Sequence, residues 1–316
     1  MTITSINSFN NTRQYRQRVL LLLSFASVYL IWGSTYLAVR FAVASISPFL
    51  LSSFRFLVAG IILLTIAKLS KAAMPTKAEF KNAGKVGILL LVTGNAGVIW
   101  AAQFIPSNIT ALIITIEPVW VVLLLWLKSK QHKPTAVIWV GVALGLMGIV
   151  TLIGPANLAQ LKGINPLGIA AIVLSSISWA IGSIYAMQLP LPKSPFMNTG
   201  IQMLIASALM FVVASLIGEW AHFDLNLISA TSFSAFMYLV FFGSVIGFTA
   251  YGYLIKHTSA TAASTHAYVN PVIAVMLGLW VGKEIVTSHT VIAAVLLIAA
   301  VVLIISKPKF NFFFKK

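Results

Sequence analysis

The sequence predicts an all-α polytopic membrane protein whose ten transmembrane helices form two inverted five-helix repeats. Three observations predict it: a composition too apolar for water, ten long hydrophobic runs with alternating charge between them, and self-similarity at a fixed offset. Of 316 residues, 59% are hydrophobic and only 8% are charged, with a mean hydropathy of +0.99. A soluble domain carries about 25% charged residues, so a water-facing surface cannot be built from this chain. Disorder needs low hydrophobicity, and an outer-membrane barrel needs short segments of alternating polarity. Neither pattern is present.

A membrane-crossing helix needs about 20 apolar residues. Ten such runs stand at roughly 19–39, 48–67, 85–104, 107–127, 135–153, 166–188, 197–217, 233–255, 260–281 and 288–306. The links are short, and the longest, 68–84 and 218–232, leave no room for a soluble domain. The first run is too long and, at Trp32, Ser34, Thr35 and Tyr36, too polar for a cleaved signal peptide.

The net charge of +16 comes from basic residues placed between the runs, which reads as orientation rather than nucleic-acid binding. Seventeen of the 21 basic residues fall on one side: Arg13, Arg16, Arg18, Lys68, Lys71, Lys77, Lys81, Lys85, Lys128, Lys130, Lys133, Lys193, Lys256, Lys307, Lys309, Lys315 and Lys316. Arg40, Lys162 and Lys283 fall on the other, and Arg55 lies inside a run. Both termini are therefore expected in the cytoplasm. The expected organisation is a cytoplasmic tail at 1–18, repeats at 19–153 and 166–306, an external linker at 154–165 and a basic cytoplasmic tail at 307–316.

Aligning Pro118 with Pro271 sets an offset of 153 that also places Gly94 on Gly247, Trp100 on Tyr253 and Glu117 on Asn270. Gly33-Ser34-Thr35-Tyr36 resembles Gly182-Ser183-Ile184-Tyr185 at an offset of 149. Each half then holds five runs. Five is odd, so the halves enter the membrane in opposite senses. Such inverted repeats can rock against each other around a midplane site.

Polar groups inside the runs mark where that site lies. Of five acidic residues, only Glu117 is mid-span; Glu79, Glu219, Asp224 and Glu284 lie in links or at helix ends. A charge at the bilayer centre costs roughly 2.5–3.5 kcal/mol on insertion scales, so Glu117 needs a cavity or a partner. Pro118 removes a backbone hydrogen bond beside it, and Pro271 does the same beside Asn270, so both are expected to kink their helices. His266 lies one turn before Asn270 on the same face and is the mid-membrane group whose ordinary titration falls near neutrality. Arg55 sits about eight residues into the second run, roughly 12 Å deep, and is expected to pair with a carboxylate. Cavity candidates among the aromatic and polar stripes are Trp32 and Tyr36, Trp100 and Gln103, Trp179 and Ser183, and Tyr251 and Tyr253. Trp126, Trp139 and Trp220 are expected in the interfacial belts. Gly141–Gly145, Gly243–Gly247 and Gly278–Gly282 are spaced for close helix packing.

The segments IWGSTYLAVRFA (31–42), SFRFLVAGIILL (53–64), AAQFIPSNITALIITIEPVWVVLLLW (101–126) and ATAASTHAYVNPVIAVMLGLWVGKEI (260–285) carry a resemblance. In order and spacing, over about residues 20–306, the chain resembles the drug/metabolite transporter superfamily, specifically the ten-helix EamA-type permeases. It departs from the family pattern at Lys128-Ser129-Lys130, where a Gly-Glu pair often closes the fourth span. The resemblance implies a secondary transporter, exporter or facilitator, for small metabolites such as amino acids or amphipathic drug-like solutes. A carrier of phosphorylated or lipid-linked sugars would need more membrane-embedded Lys and Arg than the single Arg55. A non-transporting scaffold would not need mid-span Glu, Pro and His. The chain has no cysteine, P-loop, His-Glu-x-x-His or paired aspartates, so neither an enzyme nor a cofactor or metal is expected. The expected partners are a small-molecule solute and the lipid bilayer, not nucleic acid. Proton coupling stays open, as does the choice between monomer and homodimer.

Overall fold

A computed structural model describes residues 3–101, 103, 105, 110, 113–128, 134–159, 165–282 and 288–306. Lys130, Lys133, Lys162, Lys283, Glu284 and the basic tail at 307–316 lie outside the described residues.

Ten helices occupy the ten predicted runs among the described residues: α1 (Ile3–Ala42), α2 (Pro48–Leu69), α3 (Lys77–Ala101), α4 (Glu117–Lys128), α5 (Ala136–Ala159), α6 (Pro166–Gln188), α7 (Pro195–Leu216), α8 (Ala230–His257), α9 (His266–Gly282) and α10 (Ser288–Ser306). Six of them, α1 to α3 and α6 to α8, are each long and apolar enough to cross a membrane unaided. Outward-facing leucines, valines and phenylalanines, such as Leu22, Leu30, Ile61, Leu174, Val212 and Val295, are exposed along the helices, as lipid contact requires.

Local chemistry sets the helix starts. Pro stands in the first turn of α2, α6 and α7, where its missing N–H is not needed. Asn165 and Ser194 cap α6 and α7 through their side chains, and Thr76 with Glu79 forms a capping box on α3. The cap of α2 is long-range: the Glu219 carboxylate accepts from Phe49 N at 3.2 Å and Leu50 N at 2.8 Å.

Four local features differ from the sequence-based expectation. Helix α1 begins at Ile3 rather than near residue 19, because no proline or glycine interrupts 3–18; the expected tail is thus largely helical. Both α3 and α8 contain a π-helical stretch, at Ile88–Ala96 and Leu239–Ile246. Pro118 does not kink a continuous helix; it sits in the first turn of α4, after a turn at Thr115–Ile116. Its counterpart Pro271 lies inside α9. The ninth run breaks earlier, at Ser264–Thr265, after a short helix at Ala260–Ala263. There Ser264 Oγ donates to Thr261 O at 2.9 Å and Thr265 Oγ1 to Ala262 O at 2.6 Å, satisfying carbonyls that a continuous helix would use.

The helices pack in reciprocal pairs. Helix α1 packs on α8 and α9, as α6 packs on α3 and α4; α2 packs on α7 and α5 on α10. Within α2 and α7, Ser53 lies against Ser207 while the later Gly60 lies against the earlier Leu204. Within α5 and α10, Gly141 meets Ile304 and Gly148 meets Leu297. Repeat partners therefore run antiparallel, which is the inverted relation. Ser53 Oγ donates to Ser207 O at 3.0 Å and Ser207 Oγ returns the bond to Ser53 O at 2.9 Å, so the pseudo-two-fold axis crosses there. Gly141 and Gly145 pack on Ile304 and Tyr268, and Gly243 and Gly247 on Arg55 and Trp32. These small-residue faces are used inside the bundle.

Candidate functional site

The largest core cluster sits where the halves meet and contains both Trp32 and Trp179. Their rings stand 5.5 Å apart at 82°, an edge-to-face contact. Phe248 lies 5.0 Å and 5.9 Å from them, Tyr251 5.1 Å and 5.5 Å, and the His266 ring 5.1 Å and 6.2 Å. Trp32 Nε1 donates to Gly243 O at 3.1 Å, and Trp179 Nε1 to the Tyr251 hydroxyl at 3.0 Å. Glycine makes room for both indoles. A Cβ on Gly247 would overlap Trp32 Nε1, and a Cβ on Gly94 would come 3.1 Å from Trp179. Each tryptophan thus packs on the matched glycine of the other repeat.

On the α1 C-terminal side of this cluster lies a cavity of about 640 Å³. Trp32, Tyr36, Gln103, Glu117, Trp179, His266 and Asn270 line it, and so does Arg55. On the other side a cavity of about 1090 Å³ is lined by Phe25, Gln202, Tyr251, Tyr253, Lys193 and Lys256 among others. Phe248 touches both, so the aromatic cluster is the partition between them.

Glu117 and His266 are 2% and 5% exposed, yet poorly satisfied. Glu117 Oε2 stands 3.7 Å from His266 Nε2. Among the described residues, Glu117 Oε1 and both His266 ring nitrogens have no hydrogen-bond partner. Leaving such groups unbonded costs free energy, which water or a solute in the cavity would recover. Asn270, with its amide nitrogen turned to the surrounding carbonyls, donates to His266 O at 3.1 Å and Tyr29 O at 3.2 Å. It braces α9 against α1.

Arg55 departs from expectation. It forms no ion pair among the described residues; its Nε donates to Ser244 Oγ at 2.6 Å, and its guanidinium carbon lies 5.4 Å from the Phe56 ring centre. Glu117 faces His266 instead, although Arg55 lines the same cavity. Other predicted residues lie off the first cavity. Trp100 packs with Ala101, Ile105 and Ile172. Tyr253 stacks on His257 at 4.0 Å. Ser183 is buried, donates to Trp179 O and bonds the Tyr251 hydroxyl at 2.6 Å. Sequence reasoning did not select Thr35, Asn95, Thr110, Ser175, Ser176 or Phe248, all of which line the first cavity. Asn95, an amide in an apolar run beside the matched Gly94, was the one signal among them.

Known proteins agree with this architecture. A crystal structure of another protein superposes with a TM-score of 0.72 over 90% of this chain and 97% of that one, at 18% identity, and so shares the fold. The chain is 37% identical over 298 residues to the uncharacterized inner membrane transporter YedA of Escherichia coli (strain K12), covering 92% of each. It is 23% identical over 276 residues to protein PecM of Dickeya dadantii (strain 3937), covering 87% of this chain and 88% of that one. The profile of the EamA-like transporter family matches twice, at residues 19–154 and 166–306. A bundle of reciprocally paired helices with a polar cavity at the junction, matched by that profile over nearly its whole length, makes this membrane transporter a member of the EamA-like transporter family.

Proposed function

We propose that the chain is a secondary transporter, an exporter or facilitator, of small metabolites such as amino acids or amphipathic drug-like solutes. It works by alternating access between repeats 19–153 and 166–306 in an inner membrane, with both termini cytoplasmic. One observation carries the reading: a buried carboxylate with an unpartnered oxygen lines a cavity that ends on an aromatic partition, with a second cavity behind it. Rocking one repeat against the other would open the partition on one side as it closes on the other. Glu117 then meets a cationic or amino group of the solute, and Trp32 and Trp179 meet its apolar part. Proton coupling belongs to the same reading, with the facing Glu117 and His266 as the carriers. The test is transport by purified protein in liposomes loaded with a mixture of amino acids and amphipathic amines, with released solutes identified by mass spectrometry. Selective release above that of protein-free liposomes is expected. Release no faster than from protein-free liposomes for every solute would favour a scaffold.

A further inference from the structure

Arg55 is 3% exposed, lies within α2 and lines the first cavity. A guanidinium has five N–H donors in a rigid fork. Only Nε is used, by Ser244; among the described residues the two terminal nitrogens have no hydrogen-bond or ion-pair partner. Burying a cation without a counter-charge is costly. Among the described residues, none of the four carboxylates is paired with Arg55. Glu79 caps α3, Glu219 caps α2, Asp224 caps a turn through Asn226 N, and Glu117 faces His266. The counter-charge for Arg55 is therefore sought in the cavity.

Position narrows the chemistry. A Cβ on Gly243 would come 3.0 Å from Arg55 Nη2, and the carbonyl of the same Gly243 accepts from Trp32 Nε1. The guanidinium and the Trp32 indole thus both lie against Gly243 and line the same cavity. His266, with Glu117 behind it, meets the same indole edge-on at 5.1 Å. A cationic group and a carboxylate flank one aromatic platform.

We infer that Arg55 is a carboxylate subsite of this cavity, so that the solute is a zwitterion: its carboxylate on the Arg55 terminal nitrogens, its ammonium at Glu117, its apolar part on the two indoles. This rests on the reading of Glu117 as the partner of a cationic group. With Nε held by Ser244, the pair of terminal nitrogens presents the edge that takes a carboxylate bidentately. A dianionic phosphate would leave unneutralised charge in the same cavity as Glu117. Gly243 keeps the guanidinium seated by leaving the space that a side chain would fill.

The test uses three solutes on one carbon skeleton: leucine, leucinamide without the carboxylate, and 4-methylpentanoate without the ammonium. Binding is read from tryptophan fluorescence of the purified protein, since Trp32 and Trp179 form the platform. The wild-type protein should prefer leucine to leucinamide by tenfold or more, about 1.4 kcal/mol. Arg55→Gln should abolish that preference, and Arg55→Lys should reduce it while keeping the charge. A merely structural arginine would weaken both ligands alike, or lower stability, and leave their ratio unchanged in either variant; that result overturns the inference. So does a wild-type protein that binds acid and amide equally. The preference of leucine over 4-methylpentanoate reads Glu117 separately. If Glu117→Gln leaves it intact, the amine reading fails, and the zwitterion with it. Absence of binding by all three solutes overturns both.

Discussion

Glu117 and His266 stand 3.7 Å apart, and three of their four side-chain polar atoms have no hydrogen-bond partner among the described residues. Sequence alone singled them out, because an ionisable group in an apolar run is expensive and needs a cavity or a partner. The same cost argument found Arg55 and expected a carboxylate beside it; among the described residues its partner is Ser244, since which helices face each other is not written in any one run. Cavity hydroxyls such as Thr35, Ser175 and Ser176 gave no signal, because serine and threonine can bond their own helix and so appear throughout such helices. Ser176 does so, donating to Val173 O at 2.8 Å. At this scale His266→Ala should flatten the pH dependence of transport near neutrality. The ring faces Glu117 from α4 and Tyr251 from α8. Transport rates in liposomes between pH 5.5 and 8 check this; an unchanged profile would remove His266 from the cycle. Gly247→Ala places a methyl on Trp32 Nε1. Overpacking of this kind costs about 1–3 kcal/mol, so the variant should melt at lower temperature than wild type. An unaltered Tm would mean that Trp32 has another place to go.

Helices in this protein are defined by their ends and interruptions more than by their apolar content. The runs, their number and several starts were legible: Asn165-Pro166 and Ser194-Pro195 each put a capping side chain before a first-turn proline, and Pro48 stands in the first turn of α2. The π-helical stretches of α3 and α8 were not. Apolar content marks these segments as part of a membrane run, but the extra residue per turn is fixed by what the helix packs on. Such stretches often mark functional positions; the first contains Gly94, which receives Trp179, and the second ends just before Gly247, which receives Trp32. The Glu219 cap was equally hidden, lying 169 residues from Leu50. Removing it leaves the first N–H groups of α2 unpaired. Glu219→Ala should cost about 1 kcal/mol, read as a lower Tm, with Glu219→Gln losing less. Equal stability of wild type and Glu219→Ala would show that solvent replaces the cap.

Across the whole molecule, the odd number of runs per repeat already required opposite insertion of the halves, and the antiparallel contacts of α2 with α7 and α5 with α10 display that relation. The reciprocal seats, Trp32 on Gly247 and Trp179 on Gly94, could not be read from the sequence, since the two tryptophans fall at different positions relative to the matched Gly33 and Gly182. The charge asymmetry predicts that Lys77 and Asn226 lie on opposite sides of the membrane. Both are exposed, and the native chain has no cysteine, so Lys77→Cys and Asn226→Cys can each be labelled alone. Only the Asn226→Cys protein should react with an impermeant reagent in intact cells. Labelling of both would discard the ten-span orientation. The central claim, that Glu117 serves the solute rather than the scaffold, meets its most direct test in Glu117→Gln, which keeps size and hydrogen bonding but removes the charge. At matched protein amounts in liposomes, transport should fall tenfold or more, about 1.4 kcal/mol in the barrier, with Tm and expression unchanged. Lower Tm with per-molecule transport intact would contradict the account.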